Sequence, residues 1–533
     1  IELNKKTDFF KEKLSDGFSK ISFAFPGLTE GAIIEFQYEL VCQNITVLDP
    51  WYFQNELPTF WSEIRFKIPK YLNYTSLTRN YRPFVYQEKK PINYLFGNKT
   101  VDGVLYSAAL DSLVPLREEP FITTVEDFRQ RMEFQLSLIR QFDGRIDTVM
   151  TNWPNFTKEL LKNPFLGDQI NKLSKHRKVK LAATTLLANL PNSETPVQDL
   201  YDYVQGLVKW DQTLSIFAET SLDQALDARQ ANSGEMNMML IYLLREAGYE
   251  AHPFLISTRS HGKVKKQYPI ARQFNHLITA VKLDNQWRLI DVSDSDMSIS
   301  LLPDYCLNTE GLLLDTEGPK WLPIQAPISK SRTGISVKLH EGKFKVNVQS
   351  KDEAYSAIDT WESYYQQSEA DFFARWSDEE FEITKAEIIS PKEDPTTFVM
   401  QLSFEKEWEE SNGIVYLDPL FGSSLSDNPF DSEQRSLPVD FPYPVKIEYV
   451  ASIQLPQNAE VLEIPKPIRI ELPDKNAAFE YQITHSGPMI QVRTQLIINK
   501  TFYSPDQFQH LRELYDYLLE KQNELIVLKI DSE

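Results

Sequence analysis

The residues whose types and spacing could do chemistry begin at the start of a predicted helix. Ser233 follows Asn232, and Glu235 lies three positions after Asn232, which is the pattern of a capping box. Backbone N–H groups and the helix dipole favour negative charge at a helix start by about 0.3–1 kcal/mol. A nucleophile and its oxyanion would gain from that position. Asn and Ser also suit helix starts for structural reasons alone, so the segment by itself leaves both interpretations open.

An imidazole and a carboxylate are predicted to meet on a β-hairpin. Asp284-Asn285 suits a two-residue turn. With that turn, residue 278 faces Asp291, and His276 becomes a diagonal neighbour of Asp291, about 7–8 Å away between backbones. The carboxylate could then orient the imidazole and fix its tautomer. Two alternatives stay open: an ordinary polar cross-strand pair, and a three-residue turn that would place the two side chains on opposite faces.

A strongly periodic helix and three strands must position these groups. The helix is predicted at 233–248, because apolar residues recur at helical spacing and Gly248 suits its end. Its apolar positions are Met236, Met239, Leu240, Leu243, Leu244 and Ala247. Strands are predicted at 252–257, 274–283 and 286–292.

Two motifs at these positions resemble the transglutaminase-like family. The stretch 233–245 (SGEMNMMLIYLLR) with Gly248 is similar to the family's nucleophile, apolar run and Leu-Arg-x-x-Gly pattern. The stretch 276–291 (HLITAVKLDNQWRLID) is similar to its histidine strand, turn, Trp strand and aspartate. The resemblance implies a papain-like α+β core in which Ser233, His276 and Asp291 occupy the positions of the Cys-His-Asp triad. Serine then stands where the family keeps its cysteine.

The resemblance extends along the chain to bacterial envelope proteins in which such a core lies between two β domains of unknown function. It is carried by 23–38 (FAFPGLTEGAIIEFQY), 51–58 (WYFQNELP), 257–262 (STRSHG), 301–311 (LLPDYCLNTEG) and the Asn428-Pro429-Phe430 stretch with Arg435. It implies an extracytoplasmic setting, in the periplasm or at the cell surface. The sequence starts at Ile1 without a visible signal peptide, so we expect targeting information and the start of the first domain to be missing.

The serine bears directly on activity. A cysteine thiol, with a pKa near 8.5, is readily ionised by a histidine and a helix start, whereas a serine hydroxyl must lose its proton during attack. We therefore expect a pseudoenzyme that binds or scaffolds a peptide, protein or cell-envelope glycan. The alternative is a Ser-His-Asp hydrolase, amidase or acyl transferase acting on peptide or amide bonds. A third interpretation is a structural module of a larger assembly.

Three further residues could join such a site. Cys306 could be a displaced nucleophile, but we expect a small buried residue near the end of the core. His261 and Asp294 lie in polar, turn-rich segments, which favours solvated loop residues. A disulfide between Cys42 and Cys306 stays open, since spacing supplies no support for it.

The predicted fold class is α+β and multidomain, a papain-like core with antiparallel β-sandwich-like domains on either side. The predicted domains are 1–145 (β), 150–315 (the core with leading helices) and 320–533 (β-rich, ending in a helix and a short strand). Helices are predicted at 153–170, 179–190, 197–208, 353–376 and 505–521, and strands at 32–40, 132–139, 334–349 (a hairpin) and 524–530.

Composition excludes several classes of partner. A net charge of −20 argues against nucleic acid or an anionic membrane, because phosphates need a basic surface. The seven histidines show no paired-ligand spacing, so we predict no catalytic metal and no cofactor. No apolar run approaches the roughly 18 residues that would span a bilayer.

Overall fold

The computed structural model describes the chain apart from short stretches. These are residues 1–7, 16–17, 26, 36, 38–44, 46, 80–81, 97–98, 142, 150–151, 172–175, 375–380, 392–393, 409, 412, 422–424, 426, 431 and 531–533. The chain divides into two compact units, Ile1–Leu48 and Asp49–Glu533.

The described part of the first unit contains one antiparallel hairpin. Strands β1 (Phe9–Ser15) and β2 (Phe18–Phe23) pair with Phe9 opposite Phe23. The strand predicted at 32–40 is wrong for residues 32–35 and 37, and its other positions lie outside the described residues. Ile33 is 97% exposed, so the alternating pattern there has no partner face to pack against.

The second unit opens with antiparallel sheets. The strands are β3 (Val47–Tyr52), β4 (Thr59–Pro69), β5 (Leu72–Arg79), β6 (Tyr86–Phe96), β7 (Lys99–Leu113), β8 (Arg131–Arg140) and β9 (Ile146–Thr148). One sheet has the order β4-β7-β6, and the other has the order β3-β8-β5 with β9 beside β8. The strand predicted at 132–139 is confirmed within β8.

The helical part of the core follows. Its helices are α1 (Trp153–Leu160), α2 (Gly167–Asn171), α3 (Arg177–Ala182), α4 (Thr184–Asn189), α5 (Pro196–Leu207), α6 (Leu222–Ala228) and α7 (Ser233–Glu246). The short strands β10 (Lys209–Trp210) and β11 (Gln230–Ala231) pair in parallel. The single helix predicted at 153–170 is wrong, because Pro164 follows the end of α1 and cannot continue a helical hydrogen-bond ladder.

Helix α7 is buried on every side over its first twelve residues, Ser233 to Leu244. The sequence predicted one buried apolar face, but Glu235 and Asn237, which lie outside that face, are also buried. A central helix of this kind must find partners for its polar side chains inside the protein.

Helix α7 packs on a five-stranded antiparallel sheet of order β14-β13-β12-β15-β16. Its strands are β12 (Ala251–Ile256), β13 (His276–Leu283), β14 (Gln286–Ile290), β15 (Glu310–Asp315) and β16 (Gly318–Pro323). The two-residue turn is confirmed, with Leu283 paired to Gln286 and Thr279 to Ile290. Asp284 and Asn285 both have positive φ, 50° and 61°, as a type I′ turn requires.

The C-terminal region is built on an eight-stranded sheet of order β19-β20-β18-β17-β24-β28-β27-β26. Its strands are β17 (Ser329–His340), β18 (Lys343–Glu353), β19 (Phe381–Ile388), β20 (Thr397–Glu407), β24 (Val445–Gln454), β26 (Ile468–Glu471), β27 (Ala477–Ser486) and β28 (Met489–Ile498). The hairpin predicted at 334–349 is confirmed by β17 and β18. The sheet is mixed and not purely antiparallel, because β17 and β24 run parallel.

Smaller sheets and three helices complete this region. The remaining strands are β21 (Glu410–Ser411), β22 (Ile414–Leu417), β23 (Val439–Asp440), β25 (Ala459–Glu463), β29 (Phe502–Tyr503) and β30 (Ile526–Ile530). The helices are α8 (Tyr355–Tyr365), α9 (Glu369–Ala374) and α10 (Phe508–Gln522). Residues of the sheets and of these helices share one apolar core. The domain boundaries at 145 and 320 stay predictions.

None of the described helices combines the length and the apolar character needed to cross a lipid bilayer.

Gly311 of β15 packs closely against β12 in the sheet that carries His276. A Cβ there would lie 2.3 Å from the Phe254 ring and 2.7 Å from the Leu255 carbonyl oxygen. We expect Gly311→Ala to lower the free energy of unfolding by about 1–3 kcal/mol through overpacking. The matched control is Gly334→Ala in β17, where the nearest atom is 3.8 Å away. Urea denaturation measures both, and equal stabilities for the two variants would contradict the packing described.

Candidate active site

The N-terminus of α7 has the predicted capping box. The Asn232 side chain accepts a hydrogen bond from the Glu235 N–H at 2.9 Å, and Glu235 accepts one from the Asn232 N–H at 3.0 Å. The other Glu235 carboxylate oxygen accepts from the backbone N–H groups of Glu219 and Thr220 at 3.0 and 2.8 Å. Glu235 therefore fixes the helix start and also anchors the segment that precedes α6.

The structure brings the three predicted site residues together. Ser233 Oγ lies 2.9 Å from His276 Nδ1, and His276 Nε2 lies 2.7 Å from Asp291 Oδ2. Ser233 and His276 are fully buried, and Asp291 is 1% exposed. Because the carboxylate faces Nε2, that nitrogen donates its proton, which leaves Nδ1 of the neutral ring as the acceptor for the hydroxyl.

Asp291 is the most heavily hydrogen-bonded group of the cluster. Its Oδ1 accepts from Asn237 Nδ2 at 2.8 Å, from the Ser293 N–H at 3.0 Å and from Ser293 Oγ at 2.7 Å. Burial alone would raise the pKa of Asp291, but His276 and the hydrogen bonds from Ser293 and Asn237 lower it to about 2. Tyr305 Oη also contacts Oδ2, at 3.5 Å. The carboxylate is thus ionised and fixed in place.

Asn237 belongs to this cluster and was missed from the sequence. It lies one turn after Ser233 on α7, and its side chain bonds both the Ser233 carbonyl at 3.0 Å and Asp291. Its amide oxygen accepts from Thr279 Oγ1 at 3.1 Å. The available signal was the spacing of two polar residues four apart in an otherwise apolar helix, which places them on one face.

A short segment covers the serine. The Ser215 N–H donates to Ser233 Oγ at 3.0 Å, and the Ser233 N–H donates to the Thr213 carbonyl at 3.0 Å. The Leu277 N–H donates to the Ser215 carbonyl at 3.2 Å, so the segment also bonds to the histidine strand. A Cβ at Gly234 would lie 2.8 Å from that same carbonyl oxygen. We call residues 213–217 the covering segment.

The other candidate residues lie elsewhere. Cys306 is a buried free thiol whose Sγ lies 3.7 Å from Asp291 Oδ2, at the carboxylate end of the cluster. Burial and the neighbouring Asp291 raise the pKa of this thiol well above its ordinary value, so it is not a thiolate nucleophile. His261 bonds Ser257 and lines a separate cavity, whereas Asp294 lines the cleft beside Tyr305. Cys42 lies outside the described residues.

One group of side chains has the composition of a metal site. The donor atoms of His276, Asp291 and Cys306 all lie within 4.8 Å of one another. The Nε2–Oδ2 distance of 2.7 Å suits a hydrogen bond. Two ligands of one tetrahedral zinc ion would lie about 3.3 Å apart, given metal–ligand distances near 2.0 Å. His276 and Cys306 thus each contact the Asp291 carboxylate, and the shorter of the two contacts is a hydrogen bond.

We expect Asp291→Asn to remove a pH-dependent part of the stability. The folded-state pKa of about 2 lies below the unfolded value. Asp291 therefore contributes about 2–3 kcal/mol above pH 4, and this is lost as the pH falls toward 2. Urea unfolding of wild type and variant at several pH values measures the difference, which should shrink between pH 4 and pH 2. The exposed Asp102→Asn is the control, and a pH-independent difference for Asp291→Asn would contradict the assignment.

The comparisons with known proteins agree with this architecture. Residues 181–292 match the transglutaminase-like superfamily, and residues 413–528 match a domain of unknown function with solved structure, DUF3858. No curated protein matches the chain.

A solved structure resembles most of the chain. It is the crystal structure, at 2.00 Å, of a protein from Parabacteroides distasonis described as a "putative protease". It aligns with a TM-score of 0.51 and 12% identity, over 91% of this chain and 75% of that chain. At this identity the similarity concerns the fold, and the α+β class with β sheets around a transglutaminase-like core is confirmed. Residues 181–292, which contain Ser233, His276 and Asp291, form a domain of the transglutaminase-like superfamily, and residues 413–528 form a DUF3858 domain.

Proposed function

We propose that this chain is a catalytically silent transglutaminase-like protein that binds a peptide or glycan. One observation carries the proposal: Ser233 Oγ is fully buried and already accepts the Ser215 N–H, while the Ser233 N–H is bonded to Thr213. The first contact places a hydrogen-bond donor on the oxygen that would have to attack an acyl carbon. The second occupies a helix-tip donor that would otherwise stabilise an oxyanion.

The requirements for nucleophilic attack by a serine hydroxyl also support a silent site. Attack by a hydroxyl needs a base at hydrogen-bond distance, and His276 supplies one at 2.9 Å. It also needs a carbonyl carbon near Oγ and free donors for the developing negative charge. Because the covering segment already bonds both Oγ and the N–H of Ser233, the cluster satisfies the hydrogen bonds of a buried helix start and performs no acyl transfer.

The binding role rests on a large cleft next to the aspartate end of the cluster. The cleft has a volume of about 1100 Å³, and Tyr305, which contacts Asp291, is part of its wall. Seven carboxylates line it: Asp202, Asp294, Asp296, Asp304, Asp359, Glu362 and Asp394. The described lining residues include no Lys or Arg. Burial, with the neighbouring carboxylates, raises the pKa of Asp294 and of Asp359.

The cleft lining favours a cationic ligand. Aromatic side chains accompany the carboxylates, namely Tyr201, Tyr305, Tyr355, Trp361, Tyr365 and Tyr443. Aromatic faces bind both cations and sugar rings, whereas a surplus of carboxylates favours positive charge. Within the proposed class, a peptide with lysine or arginine side chains therefore fits better than a neutral glycan. The extracytoplasmic setting belongs to this proposal and rests on the sequence resemblance alone.

We expect the native chain to resist a fluorophosphonate probe at Ser233, because Oγ is covered and hydrogen-bonded. Mass spectrometry of the treated protein maps any modified residue, with an active serine hydrolase as the positive control. Labelling at Ser233 that disappears in His276→Ala would contradict a silent site and support the alternative below.

The alternative is a Ser-His-Asp hydrolase or acyl transferase acting on peptide or amide bonds. The distances of 2.9 and 2.7 Å favour it, since they match the order hydroxyl, imidazole and carboxylate of a working triad. His276 would accept the Ser233 proton, and Asp291 would orient the ring. This function requires the covering segment to move. It predicts probe labelling of Ser233 in the wild-type chain, whereas the silent site predicts none.

We expect Tyr365→Ala to weaken binding of a pentalysine peptide about fivefold, because one exposed aromatic face of the cleft contributes about 1 kcal/mol. Tyr365 is 61% exposed and stacks on Trp361 with ring centroids 5.6 Å apart. Isothermal titration calorimetry measures the affinity. Tyr416→Ala, on β22 and 59% exposed, is the matched control. An unchanged affinity in Tyr365→Ala, or tighter binding of chitopentaose than of the peptide, would refute this ligand assignment.

A further inference from the structure

We propose that a second cavity, separate from the Ser233 cluster, binds a small molecule through an oxyanion, either a carboxylate or a phosphate. The cavity has a volume of about 310 Å³ and lies between β3, β5 and β8 on one side and the loop joining β12 to β13 on the other. Cavities of this size hold small molecules and not folded partners.

The charges lining this cavity oppose the charge of the whole chain. Its cationic side chains are Arg79, Arg131, Lys263, Lys265 and Arg272, and its acidic ones are Glu126, Asp127 and Glu133. The cavity thus carries more cationic than acidic groups, in a protein whose net charge is −20. A concentration of positive charge on an acidic protein focuses attraction for an anion on this one place.

The carboxylates of the cavity are already engaged. Glu133 pairs with Arg131 at 2.6 Å and with Arg272 at 3.3 Å. Asp127 pairs with Arg79 at 2.8 Å and accepts the Lys263 N–H at 3.0 Å.

Glu126 and the Lys263 ammonium also have partners. Glu126 pairs with Arg131 at 3.2 Å and with Arg129 at 3.1 Å. The Lys263 ammonium binds Asp440 at 2.9 Å. Each acidic side chain of the cavity is therefore already paired with an arginine.

Lys265 is the cationic lining residue that takes part in none of these pairs. Within the described part of the chain, its ammonium makes no ion pair and no hydrogen bond. Its backbone is fixed by Gln273, which accepts the Lys265 N–H at 2.7 Å and donates to the Lys265 carbonyl at 3.2 Å. Burial, with Arg79 nearby, lowers the pKa of Lys265 to about 8. Glu133 and Asp127 attract this ammonium without pairing with it, so an anion that enters beside Lys265 stabilises its charge.

The apolar and aromatic residues of the cavity indicate that the ligand also has an apolar part. Leu77 and Ile270 are buried apolar residues of the lining, and Tyr52 adds an aromatic face. Guanidinium groups of Arg79, Arg131 and Arg272 have donors beyond those used in their pairs and suit carboxylate or phosphate oxygens. The cavity therefore fits a molecule with one acidic group and a small apolar part.

Competitive labelling of the wild-type chain with acetic anhydride near pH 8 tests this directly. Inorganic phosphate and sodium acetate are the two probes, and sodium chloride at matched ionic strength controls for screening. At about 10 mM of a probe that binds with a Kd near 1 mM, we expect labelling of Lys265 to fall roughly tenfold. Protection by phosphate alone, or by acetate alone, identifies the acidic group. Protection by neither probe beyond that of chloride would overturn the proposal.

A pair of variants locates the site. Lys265→Gln should weaken phosphate or acetate binding at least about tenfold by calorimetry. Lys266→Gln is the matched control, since Lys266 is the next residue, lies outside the lining and pairs with Glu310 at 2.6 Å. Equal affinities for Lys265→Gln and Lys266→Gln would overturn the assignment. The labelling experiment uses wild type only, so the proposal stays testable if Lys265→Gln does not fold.

Discussion

A buried negative charge is the constraint on which the core depends. Asp291 is 1% exposed, and an ionised carboxylate in such a place costs several kcal/mol unless donors surround it. The donors come from different parts of the chain: His276 from β13, Asn237 from α7 and Ser293 from the turn after β14. Helix, hairpin and turn must therefore take one mutual arrangement for the charge to be tolerated.

The same hydrogen-bond network explains why Ser233, His276 and Asp291 are arranged like a catalytic triad and are nevertheless covered. Ser233 and His276 complete a chain of hydrogen bonds that begins at Asp291, and the backbone of the covering segment ends it. In a working acyl-transfer site, the last donors would face substrate. Here the Ser233 N–H donates to the Thr213 carbonyl, and Ser233 Oγ accepts the Ser215 N–H, so the arrangement stabilises the start of α7 and its contact with β13.

Much of this site was predictable, because it depends on residue types with strong local preferences. Asn232 and Glu235 specify the helix start, and Asp284 and Asn285 tolerate the positive φ of the turn that sets the register of His276. The covering segment was not predictable, since it acts through a backbone N–H and a backbone carbonyl that almost any residue supplies. The break between α1 and α2 was missed because apolar spacing continues across Pro164, and the strand at 32–40 because alternation alone does not supply a partner.

The central claim is that the cover over Ser233 stays closed in the folded protein. Hydrogen–deuterium exchange of the Ser215 and Ser233 amides measures this directly, because each amide exchanges only when its bond to Ser233 Oγ or to Thr213 opens. A closed structural cluster predicts that both amides exchange with the free energy of global unfolding. Exchange at the rate of an unprotected loop amide would show that the segment opens on its own, and would contradict a silent site.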